Sequence, residues 1–292
     1  MNKARSISQI LTSRPTLEGA GVHLKRAFGF QHVPRLDPFL LLDDFHSNKP
    51  EDYLQGFPWH PHRGIETITY ILQGQVAHGD SMGNQGLIAA GDVQWMTAGS
   101  GIIHQEMPHG RDDGLLWGFQ LWANLPARHK MMAPRYRGIT DEQIPTVRLS
   151  NGVAIRIICG TLNGIQGPVQ GILIDPGYWD VSMPSETTFT QRVQSEYTVF
   201  AYVIEGQAYF DAARKQQIGS ENLVIFDKGD EVTISTKADR ARFLLISGKP
   251  LNEPVAWYGP IVMNTQEELE LAFAEYQRGT FLKHEAASQP SR

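Results

Sequence analysis

Five side chains in two short stretches have the types and spacing that hold a metal ion. "HPHRGIE" carries His60, His62 and Glu66, and "IIHQE" carries His104 and Glu106. In an extended chain alternate side chains share a face, so an H-x-H or H-x-E pair points two donors to one side. If the first stretch ran unbroken, Glu66 would share the face of His60 and His62. A barrel that brings the two stretches together offers three imidazoles and one carboxylate to a single point. Glu66 and Glu106 are both candidates for the carboxylate, and alternation alone does not choose between them. For His46, His78 and His109, taken singly, a surface or hydrogen-bonded role is the expectation.

Three nitrogens and one oxygen suit Fe, Mn, Co, Ni, Cu or Zn. On an octahedral ion four protein ligands leave about two positions open; a tetrahedral Zn(II) would be nearly closed by them and structural. Non-haem iron oxygenases commonly use two histidines and a carboxylate, and a third histidine is a variation on that set. The open positions suit an anionic substrate oxygen and O2, and a nearby carboxylate can accept the substrate's proton. Phe57, Trp59, Trp95 and Phe119 lie close to the motifs. They are candidates for an apolar pocket around a flat ligand, against the plainer reading that they pack the barrel.

The elements that must position these groups are mostly strands. Runs such as "ETITYIL", "LWGFQLWANL", "VAIRIICG", "YTVFAYVIEG" and "ARFLLIS" are rich in Val, Ile, Thr and aromatics and end at Gly, Asp, Asn or Pro. That pattern predicts an all-β sandwich or barrel. The 292 residues are long for one core and suit two domains. "YILQGQ" at 70–75 matches "YVIEGQ" at 202–207, and "AGDV" at 90–93 has a counterpart in "KGDEV" at 228–232. The basic stretch "RHKMMAPRYR" at 128–137 reads as a solvated connector, within a linker near 128–148. The predicted domains are 1–135 and 136–292. All histidines but His284 fall at or before residue 129, so only the first domain can build an imidazole-rich site. Near the C-terminus Thr265 and Glu268 form a capping box, Leu269, Phe273 and Tyr276 recur at helical spacing, and Gly279 marks a stop.

The net charge of −5 argues against a nucleic-acid-coating surface. The single cysteine, Cys159, excludes an intrachain disulfide and shares strand parity with Val153, Ile155 and Ile157, as a buried structural thiol would. No apolar run has the length of a signal peptide or a membrane-spanning helix, so the expected setting is soluble and cytoplasmic.

Four segments resemble the pirin family of the cupin superfamily: "LDPFLLLDDF" (36–45), "HPHRGIETITYILQG" (60–74), "GDVQWMTAGSGIIHQEMP" (91–108) and "GPIVMNTQEE" (259–268). The resemblance implies two cupin-type, jelly-roll-like β-barrels face to face, plus a C-terminal helix, with an iron-type metal in the N-terminal barrel alone. It implies His60, His62, His104 and Glu106 as ligands. Generic cupins take their carboxylate from the position of Glu66, which the pirin pattern leaves beside the metal. Thr97 stands where generic cupins have proline, and the spacing from Gly99 to His104 is stretched; both features fit pirins.

The same resemblance implies Fe(II), with Zn, Mn, Ni, Co or Cu as substitutes, and a quercetin 2,3-dioxygenase activity that opens the flavonol central ring and releases carbon monoxide. Glu106 and Glu66 are then the candidate catalytic acid–base groups. The alternative is an iron-dependent redox-sensing adaptor that regulates a protein partner, transcriptional or metabolic, without turnover. A small aromatic substrate, no direct nucleic-acid or membrane binding and a monomer complete the expectation. The second barrel, roughly 149–262, is expected to be metal-free and to act as a lid or scaffold. Counting from its glycine turns puts Arg192, Gln194 and Arg242 at the places of the first barrel's histidines.

Overall fold

The computed structural model describes residues 3–284, and the outermost residues of both predicted domain ranges lie outside them. Strands dominate, and no helix among the described residues is long and apolar enough to cross a membrane. The chain forms two compact units that do not divide at residue 135. One contains Pro15–Arg35, Phe39–Asp141 and the residues from Asn252 onward; the other contains those up to Arg14, Leu36–Pro38 and Glu142–Leu251.

The first unit is built on two sheets. One orders its strands Arg135–Ile139, Val93–Thr97, Ile65–Gln73, Leu116–Asn124, Phe39–Ser47, Val22–Phe28 and Arg14–Glu18. The other orders Phe57–His62, Ile102–His109, Gln75–Asp80 and Gln85–Ile88. Ile65–Gln73 is buried on both faces up to its last residue, as its β-branched content and central place require. Arg135–Ile139 pairs with Val93–Thr97, so part of the expected linker is a sheet edge of this unit. Lys130, in the stretch expected to be solvated, is 1% exposed.

The C-terminal segment also belongs to this unit, not to the second barrel as a division at 135 requires. A hairpin of Ala256–Tyr258 and Ile261–Met263 precedes the helix Gln266–Gln277. The predicted capping box is present: Glu268 N donates to Thr265 Oγ1 at 3.2 Å and Thr265 N donates to Glu268 Oε2 at 3.1 Å. Leu269 and Ala272 bury the helix against Ile261, Met263 and Phe281. That apolar face explains the placement, because it finds its cover on the hairpin and Ile103.

The second unit repeats the strand order of the larger sheet: Ile7–Thr12, Asn222–Phe226, Thr198–Ala208, Ala241–Gly248, Gly177–Met183, Ala154–Cys159 and Thr146–Arg148. "YILQGQ" and "YVIEGQ" therefore fall on equivalent strands. "AGDV" and "KGDEV" do not: the first enters Val93–Thr97, the second Glu231–Ser235, which pairs with Thr188–Arg192. The counterparts of the two histidine strands are thus Thr188–Arg192 and Glu231–Ser235. Their inward residues, Phe189, Val232 and Ile234, join an apolar core with Phe210 and Phe243. Arg242 lies one strand further on and forms a paired ion bridge with Asp180, at 3.0 and 2.7 Å. The count to Arg242 fails because it starts from turns that are not equivalent. Cys159 is buried, its thiol donating to Val169 O at 3.2 Å.

Candidate metal centre

Phe57–His62 runs antiparallel to Ile102–His109 with His60 directly opposite His104. On its other edge Ile102–His109 pairs with Gln75–Asp80, setting His104 against Asp80 and Glu106 against His78. Sheet register alone therefore brings the two motifs side by side. The first motif does not continue straight to Glu66. The chain turns at Gly64, where φ is +79° and an added Cβ would lie 1.9 Å from Val262 O, so only glycine fits.

Ile65 then opens a strand of the other sheet, and Glu66 lies on its face opposite Thr69. Glu66 accepts from Thr97 Oγ1 at 2.6 Å and is not brought to the histidines. Burial raises its pKa, offset in part by that hydrogen bond. The expected shared face of residues 60, 62 and 66 fails because the strand breaks between them.

The ring nitrogens of His60, His62 and His104 offer one atom each, all within 4.8 Å of one another. His60 Nδ1 lies 2.9 Å from Pro58 O and His62 Nδ1 lies 3.0 Å from Pro260 O. A carbonyl only accepts, so in the neutral form of either ring Nδ1 carries the proton and Nε2 keeps its lone pair. These two Nε2 atoms face each other at 3.1 Å. Two lone pairs at that distance repel unless they share a cation. The separation is close to the about 3.0 Å of two nitrogens bonded at right angles to one ion at about 2.1 Å. His104 is fully buried, and neither of its ring nitrogens has a hydrogen-bond partner among the described residues. Each orphan costs roughly 1–3 kcal/mol, and a coordinated ion would satisfy one of them.

Burial, with the neighbouring His60, pushes the His62 pKa down to about 3, against the carbonyl of Pro260. Burial and the other histidines likewise hold His104 well below the usual imidazole range. His62 and His104 are therefore neutral imidazoles at neutral pH, the form that ligates. The three-histidine group can hold a metal ion.

Glu106, two residues beyond His104 on the same strand, carries hydrogen bonds of its own. Its Oε1 accepts from Thr69 Oγ1 at 3.1 Å and its Oε2 from Gln120 Nε2 at 3.0 Å. Gln120 Oε1 in turn accepts from Trp122 Nε1 at 3.1 Å. His60, His62, Thr69, Glu106, Gln120 and Trp122 all line one cavity of about 630 Å³, a volume usual for small-molecule sites. Phe30, Leu41, Phe45, Phe57, Trp257 and Tyr258 supply much of its apolar wall.

Of the four aromatics marked in the sequence, only Phe57 lines this cavity. Trp59 is 53% exposed, while Trp95 and Phe119 are buried and face away from it, Phe119 sitting one residue out of phase with Gln120. Trp122 shares the parity of Gln120 and stands edge-on to His62 at 5.0 Å. That parity was available in "LWGFQLWANL"; the entry of Trp257 and Tyr258 from the far end of the chain was not.

His78, set aside in the sequence, is hydrogen-bonded as expected, to Asp80 Oδ2 at 3.1 Å, but lies inside the barrel with its ring 5.4 Å from His104. Burial works to raise the Asp80 carboxyl, and hydrogen bonds from His78 and Asn84 outweigh it and hold it below the ordinary value.

Paired antiparallel sheets enclosing three convergent imidazoles define a cupin barrel able to hold a metal ion, and the second unit repeats the larger sheet. Residues 21–123 match the Pirin family and residues 178–282 the Pirin C-terminal cupin domain, so the chain belongs to the pirin family. It is 43% identical to a pirin-like protein of Caulobacter vibrioides over 95% of its own length and 99% of that protein's. A crystal structure of quercetin 2,3-dioxygenase from Acinetobacter baumannii superposes with a TM-score of 0.88 at 32% identity, covering 96% of this chain and 99% of that one. The fold is shared with a bacterial pirin of Escherichia coli, YhhW, solved in complex with nickel(II), at TM-score 0.65 and 20% identity over 83% of this chain and 98% of that one.

Proposed function

We propose that the protein is an Fe(II)-dependent dioxygenase that opens the central ring of flavonols such as quercetin with O2 and releases carbon monoxide. The observation that carries this reading is the pair of bare Nε2 atoms, His60 and His62, 3.1 Å apart in the wall of a cavity otherwise rich in aromatics. The relative solved as a quercetin 2,3-dioxygenase supports the substrate class. His60, His62, His104 and Glu106 would hold the ion. When bound, iron(II) supplies the redox centre at which the flavonol and O2 meet.

The chain's own residues do the rest. Trp122, Trp257 and Phe45 sandwich and orient a flat ring system, excluding water from the reacting carbons. Glu106 is the cavity carboxylate on the strand of His104, and it takes the proton of the flavonol 3-hydroxyl and returns it to the carboxylate of the ring-opened ester. Gln120 and Thr69 keep that carboxylate aimed by donating to its two oxygens. Glu66, on the other face of its strand, has no part in the transfer.

The test is anaerobic loading with Fe(II), then quercetin, then O2. Stoichiometric ring-opened depside and carbon monoxide are expected. An iron-loaded chain that leaves quercetin intact would overturn the enzymatic reading.

A further inference from the structure

The Lys130 side chain is buried where no carboxylate among the described residues bonds to it. Its Nζ lies 2.8 Å from Gly64 O, 2.6 Å from Asn124 Oδ1 and 3.0 Å from Val262 O. An ammonium has three N–H donors, and here three neutral acceptors take them. Burying a charge on neutral acceptors alone is unfavourable compared with filling the same space with methionine or leucine. What the lysine supplies in return is geometry, because one atom fixes three separate pieces of chain.

Those pieces share a property. Gly64 lies two residues beyond His62, Asn124 two beyond Trp122, and Val262 two beyond Pro260. Each of those partners belongs to the site: His62 presents Nε2, Trp122 stands against its ring, and Pro260 O accepts from His62 Nδ1. The junction is tight, since Gly64 could not carry a Cβ without meeting Val262 O. It is reinforced where Val262 N donates to Arg63 O at 3.1 Å. The Arg63 side chain donates to Ser100 O and Phe281 O, each at 2.7 Å, and pairs with Glu275 at 2.7 Å.

The geometry points to Lys130 as a positioning residue of the metal centre, pinning the C-terminal hairpin to the Gly64 turn so that Pro260 O sets the tautomer and direction of His62. This rests on the reading of the three histidines as ligands. A carbonyl held elsewhere would free the His62 ring to rotate or to protonate at Nε2, and the ion would lose a nitrogen.

Co(II) binding to the full chain tests this without any turnover. Lys130→Met keeps the length of the side chain and removes its three hydrogen bonds. The expected result is a folded metal-free protein with Co(II) affinity about tenfold or more below wild type and altered d–d absorption bands. Ile139→Ala, a buried change on a distant sheet edge, serves as the control for lost stability and should leave the Co(II) spectrum as it is. A Lys130→Met protein with wild-type affinity and spectrum would overturn the proposal while leaving the metal reading intact. If Lys130→Met fails to fold, Asn124→Leu, which removes one of the three acceptors, takes its place, and an unchanged spectrum there is equally decisive against it. A wild-type chain that takes up no Co(II) sinks the metal reading itself, and this proposal with it.

Discussion

His60 and His62 point their Nε2 atoms at each other across 3.1 Å, while Pro58 and Pro260 hold the opposite nitrogen of each ring. With both rings neutral no proton is left over to bridge them, so that arrangement favours a shared cation over a hydrogen bond. His62→Ala should reduce bound iron at least tenfold while far-ultraviolet circular dichroism stays that of a β protein. Full iron occupancy in that variant, by elemental analysis, would remove His62 from the ligand set.

The two glutamates separate cleanly. Glu106→Gln should lose metal and turnover together, because the carboxylate two residues beyond His104 is then gone. Glu66→Gln should keep both, since Glu66 bonds to Thr97 on the far face of its strand. Elemental analysis of the two variants side by side decides the matter, and greater metal loss from the change at Glu66 would reverse the assignment.

Trp122 touches both halves of the site, standing against the His62 ring and donating to Gln120. Trp122→Leu should raise the KM for quercetin by roughly tenfold, about the loss of one aromatic stacking partner worth near 1 kcal/mol with some area besides. Trp95→Phe should leave KM unchanged, since Trp95 lies outside the cavity. Equal effects from the two changes would show that the wall has been wrongly drawn.

Burial pushes the Lys130 ammonium down to about 7, although Glu253 and Glu268 nearby act to raise it. The unfolded chain holds that proton up to about pH 10.4, so between pH 7 and that value it binds more protons than the folded chain. Stability linked to this group therefore rises with pH across the window, by about 1.4 kcal/mol per unit at most, and is flat below it. Denaturant titrations of metal-free wild type and Lys130→Met at pH 7 and 9 should show the gap shifting in favour of wild type at the higher pH. A constant gap would mean that Lys130 keeps its proton throughout.

The histidine motifs were legible because sheet alternation and two H-x-[HE] spacings are local facts that survive folding. The helix was legible for the same reason, with its cap and stop written within a few residues. Glu66 was misplaced since alternation holds only inside one strand, and nothing in "HPHRGIE" announces that the glycine changes sheets. Lys130 was misread because a basic stretch looks solvated until its acceptors are known, and two of these, Gly64 and Val262, lie 66 and 132 residues away. The division at residue 135 failed on the same ground, as the apolar face of Gln266–Gln277 finds its cover on a hairpin and a strand of the first barrel. A fragment ending near 135 would therefore lack part of the site as well as the second barrel.

The bond from His62 to Pro260 spans 198 residues of sequence. On a ribosome adding about 5–20 residues each second, the carbonyl emerges roughly 10–40 s after the imidazole that needs it. Until then the nascent chain displays the histidines without the partner that orders His62. An ordered His62 is accordingly a property of the chain only after the hairpin has been made, and translation that stops before it yields a barrel whose imidazoles lack that partner.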